Sequence, residues 1–372
     1  MSVKTYKAIG LMSGSSLDGL DIAFCEFQID NKNLIDWKLL KAETIPFSEK
    51  WQGRLVHLPQ QDALIYAKTH AYLGHYFGDL VNDFLEKHQV EPDFIASHGH
   101  TIFHYPNKRM TAQIGDGAAL AASTGYPVIA DFRTQDIALD GEGTPLAPTA
   151  DKFLFQGYDF YMNIGGIANI SCNANGKMIA FDIGGANQVL NGLAQLADME
   201  FDDDGQLAAT GEIENVLLNE LNNIPYFAHP YPKSLDNQWV FNNLLKKYLE
   251  YEAPVENRLR TACEQLAIQT VLSIEQIIQK EALEKDQYQM LVTGGGVLNS
   301  FLMENIRTAC NEKIDLEIVI PEKEVIEFKE AALMALLGVL RVENIPNCMA
   351  SVTGAKRDTI GGAIYQGFKK KI

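Results

Sequence analysis

The chain has 372 residues, 47% hydrophobic and 21% charged, which is the profile of a soluble globular protein with more than one domain. Its formal net charge of -17 argues against a nucleic-acid or anionic-membrane partner, because such partners attract basic surfaces. Five cysteines stand far apart without a CxxC pair, which argues against a cysteine-based zinc site and favours the reduced thiols of a cytoplasmic protein. No stretch matches a signal peptide or a membrane span.

The first third of the chain alternates predicted strands and helices. KAIGLM and LDIAFCEF predict two strands joined by a Gly/Ser turn, and DWKLLKAETIPF predicts a third. Apolar residues at helical spacing predict a long helix over residues 62–87. Strands follow in DFIASHGHTIFH and PVIADFR, with a small-residue helix, GDGAALAAS, between them. Because the first two strands read as a hairpin, the sheet should be mixed rather than wholly parallel.

A second series of elements begins near residue 159. Its predicted strands are YMNIGGIANIS, KMIAFDIGG, QMLVTGGG and LEIVIP, and its predicted helices cover 187–197, 256–280, LNSFLMENIRTAC and KEAALMALLGVLRV. Residues 201–233 are acidic and contain prolines, and we expect an irregular, mobile flap there. The final stretch, DTIGGAIYQGFKKK, is predicted to be helical. Glycines follow strands in both series, which indicates two α/β halves rather than a short-period repeat.

The turn GLMSGSSLDGLD combines glycines, serines and two acids directly after a buried strand. Gly14 permits a backbone shape that gathers N–H groups, and the neighbouring serines add hydroxyl donors, so the turn can cradle a phosphate. It is not a Walker A loop, because no lysine follows the last glycine and the next element is a strand. Asp18 and Asp21 would repel bare phosphate but suit Mg²⁺. An ordinary hairpin turn with polar tips is an equally good interpretation.

Asp182 stands at the end of an apolar strand in FDIGGANQVLN. A carboxylate at the carboxyl end of an α/β strand faces the ligand crevice, where it can act as a general base or hold a metal through water. A helix-capping aspartate is the alternative, and the position favours catalysis modestly. LVTGGGVLN lacks GxGxxG spacing, so its glycines either let a nucleotide lie on the backbone or allow close packing of strand on helix.

DFRTQDIALDGEGTPLAP predicts a polar substrate loop. Arg133 can bind a carboxylate or phosphate in a fork, and a structural ion pair with Asp131 or Asp136 is the alternative. The three histidines of SHGHTIFH have no fitting acid or cysteine beside them, so a hydrogen-bonding role is favoured over a metal site. FDDDG lacks the alternating acids of a calcium loop and is predicted to be a solvated turn.

Taken together, these stretches resemble the anhydro-N-acetylmuramic acid kinases of the sugar-kinase/hsp70/actin ATPase superfamily. The resemblance extends over nearly the whole chain, and its carriers are GLMSGSSLDGLD, SHGHTIFHYP, IGDGAALA, DFRTQDIAL, GTPLAP, NIGGIANIS, FDIGGAN, DDDGQLAATG, PKSLDNQWVFN, TGGGVLNSFLM and SVTGAKRDTIGG. It implies an α/β fold in which two actin-like, ribonuclease H-like domains with mixed sheets form an interdomain ATP cleft. The first domain would comprise residues 1–134 and 352–372, and the second residues 135–351 with the flap at 201–233.

The resemblance also implies an activity, with ATP and Mg²⁺ as cofactors. In the family's chemistry a catalytic aspartate, matched here by Asp182, activates a water that opens the 1,6-anhydro bridge of the sugar. The freed O6 then takes the γ-phosphoryl group and gives N-acetylmuramic acid 6-phosphate, a step of cell-wall sugar recycling. The implied sugar-binding residues are Arg133, Thr144 and Glu330, and the implied Mg²⁺ ligands are Asp18 and Asp182. The implied ATP-binding residues are Gly14, Ser15, Ser16, Leu17, Asp18, Gly19, Leu20, Asp21, Gly165, Gly166, Gly294, Gly295 and Gly296.

The chain departs from the family pattern around the base and the sugar loop. The usual FDTGPGN reads FDIGGAN, and the usual GGQGAPL reads DGEGTPL. Two alternatives therefore stay open: a kinase of another 1,6-anhydrosugar such as levoglucosan, and a weakly catalytic sensor that binds nucleotide or sugar. Since family members are typically homodimers, a homodimer is also expected.

Overall fold

The structure, a computed structural model, describes residues 3–14 and 17–370. The chain forms two compact units: unit one comprises Met1–Leu154 and Phe328–Ile372, and unit two comprises Phe155–Glu327. Ser15 and Ser16, which belong to the predicted phosphate turn, lie outside the described residues.

These limits differ from the predicted domain boundaries at residues 134 and 352. The segment after residue 134 belongs to unit one because the fully buried Asp136 carboxylate ties it there. That carboxylate accepts hydrogen bonds from Gly143 N and Thr353 Oγ1, both at 2.8 Å. Farther along, Thr149 Oγ1 donates to Asn347 O at 3.2 Å. Buried polar groups need such partners, so these bonds fix the segment to unit one.

The strands carry the apolar runs and alternating patterns that the sequence displays. They are β1 (Lys4–Ser13), β2 (Gly19–Asp30), β3 (Asn33–Pro46), β4 (Phe94–Tyr105), β5 (Met110–Ile114), β6 (Val128–Ala130), β7 (Phe160–Ile164), β8 (Ile167–Ala174), β9 (Lys177–Gly185), β10 (Tyr288–Thr293), β11 (Leu316–Val319) and β12 (Ala363–Tyr365).

Several helices begin at capping side chains, such as Asp62 and Asp116, which accept backbone N–H bonds. The helices are α1 (Glu49–His57), α2 (Ala63–His88), α3 (Gly117–Thr124), α4 (Thr134–Ala138), α5 (Ala147–Phe153), α6 (Asn187–Ala194), α7 (Gln206–Thr210), α8 (Asn215–Asn222), α9 (Pro225–Ala228), α10 (Asn237–Val240), α11 (Lys246–Glu250), α12 (Val255–Glu281), α13 (Ser300–Asn311), α14 (Lys323–Val342) and α15 (Ala350–Thr353). Over the described residues, none of them has the length and apolar character needed to span a membrane.

Unit one is built on a mixed sheet in the order β12-β6-β4-β1-β2-β3, with β5 beside β4. Strands β1, β4 and β6 are parallel, whereas β2 pairs antiparallel with both β1 and β3. Helix α14 lies directly on β1, since a Cβ at Gly10 would fall 1.8 Å from Ala331 O. The carboxyl ends of the three parallel strands share one edge, where β1 ends just before Gly14 and β6 ends just before Asp131.

Unit two contains a second mixed sheet in the order β11-β10-β7-β8-β9. Strands β7 and β10 are parallel, and two antiparallel steps from β7 through β8 make β9 parallel to them as well. Their carboxyl ends, at Ile164, Gly185 and Thr293, therefore lie at one edge of the sheet. The long helix α12 contributes Leu259, Leu266 and other buried residues to the core behind the sheet. The predicted α/β class with two units and mixed sheets is confirmed.

Three predicted elements are wrong. YMNIGGIANIS is not one strand, because β7 and β8 form an antiparallel pair that turns at Gly165 and Gly166. The last stretch is not helical: Ala363–Tyr365 forms β12, which pairs antiparallel with β6. The segment 201–233 is not irregular, because it contains α7, α8 and α9. Its Asp202 is buried and accepts hydrogen bonds from Leu207 N and Ala208 N at 2.8 and 2.9 Å. This acid therefore holds the start of α7, and the prediction that it lies in a solvated turn is wrong.

All five cysteines are free and buried. Burial raises the pKa of every one of these thiols, to about 12 for Cys172, Cys263 and Cys310. The thiols are therefore protonated, unreactive parts of the two cores.

Candidate active site

Asp182 lies three residues before the end of β9, where the strand register sets it level with Asn163 and Thr293, and its side chain is half-buried. Its carboxylate Oδ2 accepts a hydrogen bond from Leu235 N at 2.8 Å. Its own backbone bonds to the same segment: Asp182 N donates to Lys233 O at 3.3 Å, and the Tyr226 hydroxyl donates to Asp182 O at 2.7 Å. Three hydrogen bonds with residues 226–235 thus fix the backbone N–H, the backbone carbonyl and Oδ2 of Asp182. Oδ1 has no hydrogen-bond partner among the described residues.

The environment of Asp182 makes it more basic than an ordinary carboxylate. Burial raises its pKa, and the bond from Leu235 N offsets part of that rise. Burial and the nearby Asp182 charge also raise the pKa of Tyr226, so its hydroxyl stays protonated and remains a donor. A fixed carboxylate with a raised pKa and one open oxygen suits a general base.

Lys233 is a neighbour of this site that the sequence prediction missed. Its ammonium group lies 4.9 Å from the centre of the Tyr226 ring and 5.6 Å from that of Phe181. It donates to Tyr226 O and Phe227 O at 3.4 Å, and burial lowers its pKa. Stacking of a cation on two rings is favourable. Since these bonds close the loop that carries Tyr226, Lys233 stabilises the support of Asp182.

The glycines of unit two separate into two groups. A Cβ at Gly294 would lie 2.6 Å from Ile164 O, and one at Gly296 would lie 2.2 Å from Ile164 Cγ2, so both glycines are needed for packing. A Cβ at Gly165 or Gly166 would meet nothing closer than 3.4 or 3.9 Å, and one at Gly295 nothing closer than 3.8 Å. A Cβ at these three positions would make only ordinary van der Waals contacts, so packing within the unit does not require glycine there.

The strand-end loop of Gly165 and Gly166 is held by the start of α6. Asn187 N donates to Gly165 O at 3.0 Å, and Ala186 N and Gln188 N donate to Gly166 O at 2.9 and 3.1 Å. Gln188 Nε2 donates to Asn237 O at 2.8 Å, whereas the buried Gln188 Oε1 has no partner among the described residues. A hydrogen-bond acceptor is thus available beside Gly165 and Gly166.

In unit one, the described part of the predicted phosphate turn is a tight hairpin connection. Leu17 adopts a positive φ of 61° and its N–H bonds to Gly14 O at 3.4 Å. Asp18 Oδ1 accepts from Gly19 N at 3.1 Å, and Leu20 is buried in the core. The side chain of Leu20 therefore serves packing, and a role of this turn in ATP binding stays a prediction.

Asp21 follows on the same hairpin as a second acid. It accepts a hydrogen bond from Thr44 Oγ1 at 2.6 Å, and burial together with the Asp18 charge raises its pKa. Two interacting carboxylates are therefore present on this hairpin. Across the described residues, no group of three or more His, Cys, Asp or Glu side chains could hold a metal.

The predicted sugar-binding residues all belong to unit one. Burial lowers the pKa of the half-buried Arg133 to about 10, and its Nε has no partner among the described residues. Partial desolvation raises the pKa of Glu330, although its side chain keeps contact with solvent, and the Arg133 charge offsets part of the rise. Thr144 Oγ1 lies 3.5 Å from His104 Nε2.

The alternative of a structural ion pair for Arg133 is not supported. Asp131 Oδ1 accepts from Thr134 N at 3.2 Å, and Asp136 is committed to Gly143 N and Thr353 Oγ1. Among the described residues, neither carboxylate contributes to the shifted pKa of Arg133, whereas the Glu330 charge does. A half-buried guanidinium with a free Nε can bind an anionic ligand, although the nearby Glu330 charge offsets part of its attraction for one.

Sequence comparisons agree on one family. The model of the family described as "Anhydro-N-acetylmuramic acid kinase" matches residues 6–367. A protein of that name from Sulfurovum sp. (strain NBC37-1) is 34% identical, with 96% of this chain and 98% of the relative covered. Another from Haemophilus influenzae is 32% identical, with 98% of this chain and 99% of the relative covered.

Solved structures give weaker likenesses. The ROK hexokinase from Thermus thermophilus is 15% identical, with a TM-score of 0.38 over 90% of this chain and 99% of the other. The (R)-2-hydroxyglutaryl-CoA dehydratase component A from Acidaminococcus fermentans is 12% identical, with a TM-score of 0.39 over 89% and 96%. Likenesses at these TM-scores carry no argument about this chain.

Proposed function

Since the chain belongs to the anhydro-N-acetylmuramic acid kinase family, we propose that it is an ATP-dependent kinase of 1,6-anhydro-N-acetylmuramic acid. The reaction adds water across the anhydro bridge and phosphorylates O6, giving N-acetylmuramic acid 6-phosphate and ADP. The environment of Asp182 carries the proposal. Its side chain is half-buried, Oδ2 accepts a hydrogen bond from Leu235 N, Oδ1 has no partner among the described residues, and burial raises its pKa.

Asp182 acts as the general base. Its Oδ1 takes a proton from water, and the water oxygen bonds to C1 of the sugar while the C1–O6 bond breaks. O6 then bonds to the γ-phosphorus of ATP and ADP leaves, so that the proton stays on Asp182 until it passes to solvent. The bond from Leu235 N to Oδ2 fixes the carboxylate orientation, which limits the entropy lost on reaching the transition state.

The sugar is bound by residues of unit one. Arg133 receives the lactyl carboxylate, because its half-buried guanidinium leaves Nε without a hydrogen-bond partner over the described residues. The Glu330 carboxylate accepts a hydrogen bond from the sugar hydroxyl, and the Thr144 hydroxyl donates one to a ring oxygen. The lactyl carboxylate distinguishes this substrate from levoglucosan, which carries no acid, and Arg133 favours the muramyl sugar for that reason.

The nucleotide arrives as MgATP. Mg²⁺ usually keeps several waters and binds through one or two carboxylates and the substrate phosphates, so a single protein carboxylate is enough. Asp18 and Asp182 stay the proposed ligands. Because packing within the unit does not require glycine at Gly165, Gly166 and Gly295, nucleotide binding is proposed there, and the turn 14–21 is proposed to bind phosphate.

One assay tests this function. Incubation of the full chain with MgATP and 1,6-anhydro-N-acetylmuramic acid should release ADP and yield a sugar heavier than the substrate by one water and one phosphoryl group. ADP release with levoglucosan alone would assign the other anhydrosugar. Tight binding of ATP and sugar without ADP release would assign a sensor.

We also propose a cytoplasmic homodimer. The expectation of a dimer rests on the family resemblance, and light scattering of the purified chain measures its mass. A cytoplasmic location is supported by the requirement for ATP and by the free state of all five cysteines, and it is tested by cell fractionation.

A further inference from the structure

A cavity of about 280 Å³ opens in unit one, beyond the point where β4 and β6 stop pairing. Among the residues that line it are His98, Ala130, Asp131, Thr134 and Tyr365. Asp131 and Thr134 flank Arg133 in the chain, and the Arg133 charge contributes to the lowered pKa of His98. The cavity therefore adjoins the proposed sugar-binding arginine.

A β-bulge places His98 at this cavity. Leu11 pairs with Ser97 and Ser13 with His100, so that two steps along β1 match three steps along β4. Gly99 takes up the extra residue with a φ of 72°, and a Cβ there would lie 2.4 Å from Ile114 O. Bulges redirect side chains. His98 is consequently turned inward and is only 5% exposed.

His98 lines the cavity and carries a hydrogen-bond acceptor that has no partner among the described residues. Its Nδ1 lies 3.2 Å from Gly99 O, and a carbonyl only accepts, so Nδ1 carries the hydrogen and Nε2 carries a lone pair. Burial lowers the pKa of His98 to about 3, which keeps the ring neutral. Nε2 is buried and has no partner among the described residues. A buried acceptor without a partner is costly, which points to a ligand that donates a hydrogen.

The other histidine at the cavity does not share this property. His70 Nδ1 accepts from Gly115 N at 3.2 Å, and His70 Nε2 lies 3.4 Å from Asp116 Oδ2, so both nitrogens are used. The carboxylate of Asp131 at the wall disfavours an anionic group. The cavity is therefore suited to a neutral ligand group that presents a donor.

Resting on the function proposed above, we infer that this cavity receives the acetamido group of the sugar, whose N–H donates to His98 Nε2. The anhydro bridge uses O1 and O6 and the lactyl ether uses O3, so the ring keeps two donors, the amide N–H and the 4-hydroxyl. The acetamido group also brings a methyl, for which Ala130 and the Tyr365 ring supply apolar wall. His98 would thus select 2-acetamido sugars.

A binding cycle tests the inference. Calorimetry measures the affinity of the full chain and of His98→Leu for 1,6-anhydro-N-acetylmuramic acid and for its 2-acetoxy counterpart, in which an oxygen replaces the N–H. The unaltered chain should bind the acetamido sugar about tenfold more tightly, the value of one buried hydrogen bond. In His98→Leu the ratio should fall to about one. His70→Gln is the matched control and should keep the ratio, whatever its effect on each affinity.

A second measurement does not depend on the folding of His98→Leu. In ¹⁵N-histidine-labelled protein, the Nε2 resonance of His98 should shift on adding the acetamido sugar and stay in place with the acetoxy sugar. An unchanged ratio in His98→Leu, or equal shifts with both sugars, would overturn the inference and leave Nε2 to a buried water or the 4-hydroxyl. If the chain phosphorylates the sugar but His98 does not distinguish the acetamido from the acetoxy sugar, the inference is refuted and the proposed function stands. If the chain neither binds nor phosphorylates the sugar, the proposed function is refuted as well.

Discussion

Replacing Asp182 with asparagine removes the proposed base and keeps the shape of the side chain. The amide oxygen can still accept the bond from Leu235 N, which in the unaltered chain measures 2.8 Å to Oδ2. The bonds through the backbone of residue 182 are also kept. Loss of a general base typically costs 10²- to 10⁴-fold in rate, or about 2.7–5.4 kcal/mol at 1.36 kcal/mol per decade. We expect kcat to fall by that factor, while ATP still binds through the remaining proposed contacts at the glycine backbone and Asp18.

The same substitution should not destabilise the fold. Burial raises the pKa of Asp182 above its unfolded value, so the folded chain binds this proton more tightly than the unfolded chain. Ionisation therefore opposes folding: the penalty is absent below the unfolded pKa and complete above the folded pKa. At pH 7 the unaltered chain bears this penalty and Asp182→Asn does not. Asp182→Ala, which leaves Leu235 N without its acceptor, should lose about 1–3 kcal/mol.

ADP release, calorimetry with ATP and urea unfolding at pH 7 measure these effects in the unaltered chain and both variants. For the unaltered chain, kcat/KM should also fall as pH drops through the raised pKa of Asp182, because the base must be ionised. Activity of Asp182→Asn within tenfold of the unaltered chain would refute the assignment of the base. Equal destabilisation of Asp182→Asn and Asp182→Ala would refute the argument that burial of the Asp182 charge opposes folding.

Arg133→Gln should weaken binding of the muramyl sugar about tenfold and leave levoglucosan binding unchanged. Calorimetry measures the affinity for both sugars, and an equal loss of affinity for both would contradict recognition of the carboxylate by Arg133. Gly295→Ala should weaken ATP binding without changing urea unfolding, because its Cβ meets nothing within 3.8 Å. Gly296→Ala is the control and should destabilise the chain by about 1–3 kcal/mol, because the new Cβ would lie 2.2 Å from Ile164 Cγ2. Destabilisation by Gly295→Ala and none by Gly296→Ala would disprove this division of the glycines. Asp136→Ala should lower the free energy of unfolding by about 2–4 kcal/mol, because Gly143 N and Thr353 Oγ1 lose their acceptor; urea unfolding measures it, and an unchanged midpoint would exclude a structural role.

Local patterns predicted most of the fold. The first hairpin, the mixed sheet and the helices α2 and α12 follow from periodicity and turn chemistry, which act over a few residues. The end of the chain did not follow, because β12 depends on pairing with β6 some 230 residues earlier in the chain. There Gly361 packs against Phe132, where a Cβ would lie 2.7 Å from Phe132 O. Such close approach is decided by tertiary contacts rather than by local propensity.

The candidate site was predictable in part for the same reason. Asp182 followed from the rule that strand ends carry functional groups; β9 runs three residues beyond it, but Asp182 is level with Asn163 and Thr293 near the ends of β7 and β10. Tyr226 bonds to it from 44 positions along the chain, and Lys233 lies on that tyrosine, so no local pattern joins them. The orientation of His98 depends on a one-residue bulge, and a sequence pattern does not reveal the strand register that creates it.

The alkylation rates of the buried thiols can report local unfolding in each unit. Cys25 and Cys348 belong to unit one, and Cys172, Cys263 and Cys310 to unit two. A thiol in a closed core, with its pKa raised by burial, reacts with an alkylating reagent only when the surrounding structure opens. The alkylation rate of each cysteine, read by mass spectrometry, therefore gives the opening free energy around it. Added ATP or sugar should slow labelling in the unit that binds it, without any engineered probe.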